Sequence, residues 1–331
     1  PSAIFLGADA AAPKSARSST EKNALSMTYQ GSNCWEAFDP NAGTRDKTRA
    51  PRTGEPVNRN RSTRAPMNPR TALITGVPSG IGAAFAEVFA AEGFDLVITA
   101  RREDRLRALA ALLAQRYQCR VHVIVADLSA VDASARVCEN LNGQGLVVDA
   151  LVNNAGYGVP GAYLASGWTR HAASLQVMVV ALAELTHRLL PGMMERGYGR
   201  IINVASLAAL VPAPAGHTLY AASKAFVVKF SEALAGQVRT AGIYVTALCP
   251  GFTLSEFHDV TGTRATVSEL PGWLWMDAPS VARQGFDAVM RGTPIHVTGA
   301  VNRAIALLAR WVPQPILVAI GRRTAGRYRK S

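Results

Sequence analysis

The stretch Thr71–Glu92 constrains the fold of this chain more than any other. Thr71-Ala72-Leu73-Ile74-Thr75 is an apolar run of strand length. Gly76-Val77-Pro78-Ser79-Gly80-Ile81-Gly82 follows it, and a helical pattern runs from Ala83 to Glu92. In that order, strand, glycine turn and helix can cradle a phosphate. Glycines permit the tight turn, backbone N–H groups approach the anion, and the helix N-terminus favours its charge. A glycine motif alone is equally a simple turn, so the remainder of the chain decides its meaning.

Further apolar runs follow at Asp95–Thr99, Val121–Ala126, Val147–Val152, Arg200–Ala205, Tyr244–Leu248 and Ile295–Val297. Helical patterns at Glu103–Gln115 and Val281–Arg291 lie between them. Strands alternating with helices predict an α/β fold with a parallel sheet covered on both faces, where ligands collect at the strand C-terminal ends. After the second strand comes Ala100-Arg101-Arg102. A dinucleotide fold that takes NAD usually places a carboxylate there for the ribose 2′-hydroxyl, whereas arginine suits a 2′-phosphate. Arg101 and Arg102 therefore favour NADP(H) over NAD(H), and are otherwise a solvated pair of charges. After the third strand, Asp127-Leu128 places a carboxylate either to accept from the adenine amino group or to cap the next helix.

Tyr220 and Lys224 are four residues apart, one turn along the same helix face. A free phenol titrates near about 10. An ammonium held beside it favours the phenolate and draws the pKa toward working pH, where proton transfer is efficient.

The order Thr75-Gly76…Gly80-Ile81-Gly82, Asn153-Asn154-Ala155-Gly156, Ser206, Tyr220…Lys224 and Pro250-Gly251 resembles the short-chain dehydrogenase/reductase family. The likeness extends over about residues 70–260, and Tyr220–Phe226 is similar to a bacterial branch of oxidoreductases in that family. It implies a Rossmann-like, doubly wound parallel sheet in a single domain. It also implies hydride transfer between nicotinamide and a ketone, aldehyde or alcohol. By the same resemblance, Ser206 hydrogen-bonds the substrate carbonyl and Tyr220 is the general acid. Lys224 holds the nicotinamide ribose and depresses the tyrosine pKa. The cofactor would lie along the glycine turn (Gly76, Ser79, Gly80, Ile81, Gly82), Leu128, Asn153, Ala155 and Gly156. Pro250, Gly251 and Thr253 would meet the nicotinamide carboxamide, while Asn154 supports the sheet. Homo-oligomers are common among similar proteins, and Trp168–Leu190 is a candidate pairing segment.

One position departs from the family pattern. Val177-Met178-Val179-Val180-Ala181-Leu182 carries Met178 where the family usually has an asparagine that helps hold a proton-relaying water. A thioether accepts weakly and cannot donate. Three readings follow: an active enzyme in which a backbone carbonyl holds the water, a slow one, or an NADP-binding sensor or scaffold without turnover. His187 and His217 are assigned no direct chemistry, and Cys249 is read as a small buried residue. Phe252, Phe257, Leu270, Trp273, Leu274, Trp275 and Met276 fall in a substrate-covering loop at 252–277, suiting an apolar substrate or simple packing beneath a loop.

The net charge of +12 is uneven. Residues 1–70 carry 11 basic and 6 acidic side chains, residues 71–302 carry 17 of each, and residues 303–331 carry 7 basic and no acidic ones. The neutral middle argues against nucleic acid as the partner of the fold. The domain plan is therefore a disordered or extraneous extension at 1–66, the folded domain at 67–302, and a basic amphipathic tail at 303–331 that is able to lie on an anionic membrane surface. The four cysteines lack paired or metal-ligand spacing, so no metal site and a reduced, cytoplasmic or membrane-peripheral setting are expected.

Overall fold

The computed structural model describes residues 69–77, 79–212, 216, 218–254 and 271–312, all within one compact unit, Arg64–Ser331. The extension at 1–66, Pro78, His217, Phe257, Leu270 and the tail beyond Val312 lie outside the described residues.

Among the described residues, seven parallel strands form one sheet: β1 (Thr71–Thr75), β2 (Asp95–Ala100), β3 (Val121–Val125), β4 (Ala150–Asn153), β5 (Gly199–Val204), β6 (Ile243–Cys249) and β9 (Ile295–Val297). Their order is β3-β2-β1-β4-β5-β6-β9, so the winding reverses between β1 and β4. This is the doubly wound, Rossmann-like α/β arrangement, in which a crevice opens at the strand C-termini where the order reverses. A separate parallel pair, β7 (Phe252–Leu254) and β8 (Trp275–Asp277), flanks the loop after β6.

Helices α1 (Gly80–Ala91), α2 (Glu103–Tyr117) and α7 (Ala278–Met290) cover one face. Phe89 anchors that layer, with its ring edge-on to Phe94 at 5.1 Å and to Phe286 at 5.0 Å. The other face carries α3 (Ala133–Gly143), α4 (Trp168–Leu175), α5 (Leu182–Glu195) and α6 (Thr218–Val238). Every residue of β1 and β4 is buried, as expected of strands covered on both sides. A last helix, α8 (Ala300–Trp311), follows β9.

The predicted elements are all present, with shifted ends. The first helix begins at Gly80, earlier than the expected Ala83, because Gly80 (φ +59) already turns the chain into it. The fourth strand starts at Ala150 and not at Val147. Between α4 and α5 the ladder widens into a π-helical segment, Gln176–Ala181, which contains Met178. The continuous helix Trp168–Glu195 is long and apolar enough to cross a membrane by length and composition. Its residues Met178, Leu182 and Leu185, however, are buried within the fold, as in a core helix.

Candidate active site

The glycine turn fits a backbone that must pass very close to its neighbours. Gly76 has φ +72, and a Cβ there would fall 2.6 Å from the Ala155 Cα. A Cβ on Gly82 would fall 2.6 Å from Asn154 Nδ2 and 2.7 Å from the Gly76 carbonyl oxygen. Asn154 closes the turn against β4, its Nδ2 donating to the carbonyls of Thr75 (2.9 Å) and Gly76 (3.1 Å). The Thr75 hydroxyl donates to Val152 O at 3.3 Å and accepts from the N–H groups of Asn154 and Ala155 at 3.0 Å each. The expected support role of Asn154 thus has a concrete geometry. At the start of α1, Ser79 makes no side-chain cap. The N-terminus with Gly80, Ile81 and Gly82 therefore offers backbone donors of the kind a pyrophosphate needs.

Asn153 sits differently from its neighbour. It is buried, and its Nδ2 donates to Asn203 Oδ1 (2.8 Å), Thr186 Oγ1 (3.1 Å) and Leu182 O (3.5 Å). Asn203 continues the chain to Ser231 Oγ at 2.9 Å. The Asn153 amide nitrogen therefore faces the helices and ties β4 and β5 to α5 and α6, so its expected contact with a cofactor is not made through that nitrogen.

At the ends of β2 and β3, Arg101 and Arg102 are exposed, and Arg102 occupies the N-cap position of α2. The Asp127 carboxylate accepts from the Ser129 N–H (3.0 Å) and hydroxyl (2.8 Å). Desolvation works against its charge, but these bonds and the nearby Arg101 guanidinium hold it below the usual carboxylate range. Asp132, and not Asp127, occupies the N-cap position of the next helix, and its side chain makes no capping hydrogen bond. Tyr157, which the motifs did not single out, lies in the field of Arg101 and Asp127, and burial pushes its phenol up. Its only sequence signal is its place directly after Gly156.

Ser206, Tyr220 and Lys224 converge beyond β5. The Ser206 hydroxyl accepts from the Ala208 N–H at 3.1 Å and hydrogen-bonds the Tyr220 phenol. Lys224 is 5 % exposed, its Nζ lies 5.8 Å from the Tyr220 ring centroid, and it donates to the Val204 carbonyl at 2.7 Å. Burial drives the amine down to about 8, with the Cys249 thiol opposing. For Tyr220 the direction is upward: burial raises the phenol, and the Ser206 bond only partly offsets this. Lys224 is not among the causes of that shift, so the expected depression of the phenol by its amine has no counterpart here. Burial pushes the Cys249 thiol up to about 12, which suits a buried residue and not a nucleophile.

Met178 is 1 % exposed and borders the same spot. A Cβ on Gly156 would lie 3.2 Å from Met178 Cγ and 3.6 Å from Lys224 Nζ, so glycine, thioether and amine share one small volume. After β6, Leu207 N–H donates to the Pro250 carbonyl at 2.7 Å, and Thr253 Oγ1 donates to Gly251 O at 3.2 Å. A Cβ on Gly251 would fall 2.5 Å from the Asn302 side chain. Asn302 is itself buried and donates to Thr298 O at 2.9 Å. Nothing in the local sequence marks Asn302 as the wall of this loop. His187 is exposed on α5, away from these groups.

The chain matches the family model described as short chain dehydrogenase over residues 70–264. It is 27% identical over 264 residues to the very-long-chain 3-oxoacyl-CoA reductase of Rattus norvegicus, covering 78% of this chain and 82% of that protein. A short-chain dehydrogenase from Sphingobium yanoikuyae in complex with NADPH superposes with a TM-score of 0.66 at 31% identity, covering 73% of this chain and 93% of the other. A bulky-bulky ketone specific alcohol dehydrogenase from Comamonas testosteroni gives 0.62 at 29% identity, with 75% and 96% covered. A glycine turn closed by Asn154, with Ser206, Tyr220 and Lys224 gathered at the strand ends, agrees with these likenesses: the chain belongs to the short-chain dehydrogenase family, whose members are oxidoreductases acting on CH–OH and C=O groups.

Proposed function

We propose that the chain is an NADP(H)-dependent reductase of mainly apolar ketones or aldehydes, with Tyr220 as general acid. The observation that carries this reading is the hydrogen bond between Ser206 and the Tyr220 phenol, with the Lys224 amine 5.8 Å from the ring. A bound nicotinamide dinucleotide supplies or takes up the hydride. The Ser206 hydroxyl orients the substrate carbonyl and polarises it. Tyr220 holds its proton at Oη because burial keeps the phenol neutral, and it gives that proton to the oxygen as negative charge develops there. Lys224 in its charged form stabilises the phenolate left behind. Gly76, Gly80, Ile81 and Gly82 would receive the pyrophosphate, Arg101 the 2′-phosphate, and Pro250, Gly251 and Thr253 the carboxamide.

An apolar substrate is supported by Phe252 and Trp275, whose rings stand 5.6 Å apart on β7 and β8 beside the loop after β6. The ketone specificity named for the Comamonas testosteroni enzyme points the same way. The exposed side chains of Trp168 and Val180 on the α4–α5 helix support pairing of two copies through it. Met178 favours a second reading, an NADP-binding protein with impaired turnover, since no polar side chain at that position meets Lys224. Steady-state oxidation of NADPH over a panel of aryl and alkyl ketones separates the two. Turnover with NADPH preferred over NADH supports the reductase. Tight NADPH binding with no turnover on any carbonyl supports the sensor.

A further inference from the structure

Helix α8 carries its apolar residues on the wrong side for a helix that only caps a fold. Asn302 and Ala306 point inward and are buried, with Ile305 and Ala309 half-buried on the same side. The opposite face exposes Trp311 (81%), Leu308 (63%), Leu307 (58%) and Val301 (40%). At 100° per residue, 3.6 to the turn, these four and Ala304 form one continuous outward stripe, with Arg303 and Arg310 together along one border. Such a stripe is costly to leave in water and calls for an occupant.

Charge selects the occupant. Helix α8 contains no Asp or Glu, and the following segment, 313–331, adds Arg322, Arg323, Arg327, Arg329 and Lys330, again with no acidic residue. A second copy meeting this face would present another helix with only basic charges, leaving Arg303 and Arg310 without an acidic side chain to answer them. A nucleic acid would answer the arginines but leave the leucines and Trp311 in water. We infer that the outer face of α8 docks on an anionic lipid bilayer. Leu307, Leu308 and Trp311 enter the headgroup boundary, while Arg303 and Arg310 meet the anionic surface. An apolar stripe and a polybasic segment are the paired signals that make peripheral binding stable. The inward side of the same helix bears Asn302, which packs on Gly251 and within 3.6 Å of Met276 Sδ. Docking therefore brings Gly251 and Met276 to about one helix width from the membrane, where apolar compounds partition. The surface does not depend on the reductase reading, and vesicle binding reads it without turnover.

The test is flotation of the full chain with phosphatidylcholine vesicles, with and without phosphatidylserine. The expected result is co-flotation with phosphatidylserine vesicles that falls as salt is raised, and weak flotation with phosphatidylcholine alone. Leu308→Glu combined with Trp311→Glu should weaken partitioning on the order of tenfold or more, and the milder Trp311→Ala by less, without altering the thermal transition. Failure of the parent protein to float overturns the inference, as does equal flotation of the double variant. A concentration-dependent dimer that the double variant dissociates would assign the face to a second copy and overturn it too.

Discussion

The amine of Lys224 donates to the carbonyl of Val204 at 2.7 Å, locking the second turn of α6 to the last residue of β5. The bond fixes where the amine sits, while burial decides how readily it holds a proton. With its pKa lowered from 10.5 to about 8, the folded protein gives up this proton earlier than the unfolded chain. Between those values the unfolded state binds more protons, so stability rises with pH.

Cofactor-free protein should therefore gain on the order of 1–2 kcal/mol between about pH 8 and pH 10 from Lys224. Cys249 opposes part of this gain above its ordinary value of 9.0, and Tyr220 opposes it further above pH 10, because their raised pKa values make ionisation costly in the fold. Lys224→Met should abolish the rise in denaturant midpoint across the window. An unchanged slope in that variant would show that Lys224 is not its source.

Gly82→Ala should be costly, since its Cβ would strike Asn154 Nδ2 and the Gly76 carbonyl oxygen, neither free to move away. We expect a loss of about 1–3 kcal/mol by chemical denaturation and weaker NADPH binding in a fluorescence titration. Gly236→Ala on α6, with nothing within 4 Å of the added methyl, should instead be neutral or stabilising by about 0.5–1 kcal/mol.

Met178 lines the amine without bonding to it through hydrogen. Met178→Leu should leave kcat within about twofold, because shape and polarity are kept. Met178→Asn places a donor and an acceptor beside Lys224 and should raise kcat without changing the NADPH dissociation constant, at a cost of about 1–3 kcal/mol in stability. A lowered kcat in Met178→Asn would contradict a proton-relay shortfall at this position.

Arg101→Asp should reverse cofactor choice. Replacing a guanidinium by a carboxylate removes the 2′-phosphate partner and supplies one for a free hydroxyl, so the ratio of kcat/KM for NADPH over NADH should fall on the order of tenfold or more. An unchanged ratio would move the 2′-phosphate site away from Arg101.

The order of elements was legible because parallel strands buried on both faces read as short apolar runs, and because Gly76, Gly80 and Gly82 punctuate the first crossover. The spacing of Tyr220 and Lys224 likewise showed which side chains share a face. Three things were not legible, each for a physical reason. The π-helical segment around Met178 depends on how α4 and α5 seat on the sheet, and local propensity carries no trace of it. Asn302 acts across 51 positions of sequence on Gly251, through packing alone. The direction of the Tyr220 shift is a contest between burial and the Ser206 hydrogen bond, and neither can be read from the spacing of Tyr220 and Lys224.

The central claim is that the Tyr220 phenol delivers the proton in carbonyl reduction. Its most direct measurement is NADPH oxidation with an aryl ketone by the parent protein and by Tyr220→Phe, alongside NADPH binding to both. The account predicts a fall in kcat of about 10²–10⁴-fold in Tyr220→Phe with the NADPH dissociation constant nearly unchanged. Equal rates in the two proteins would contradict it.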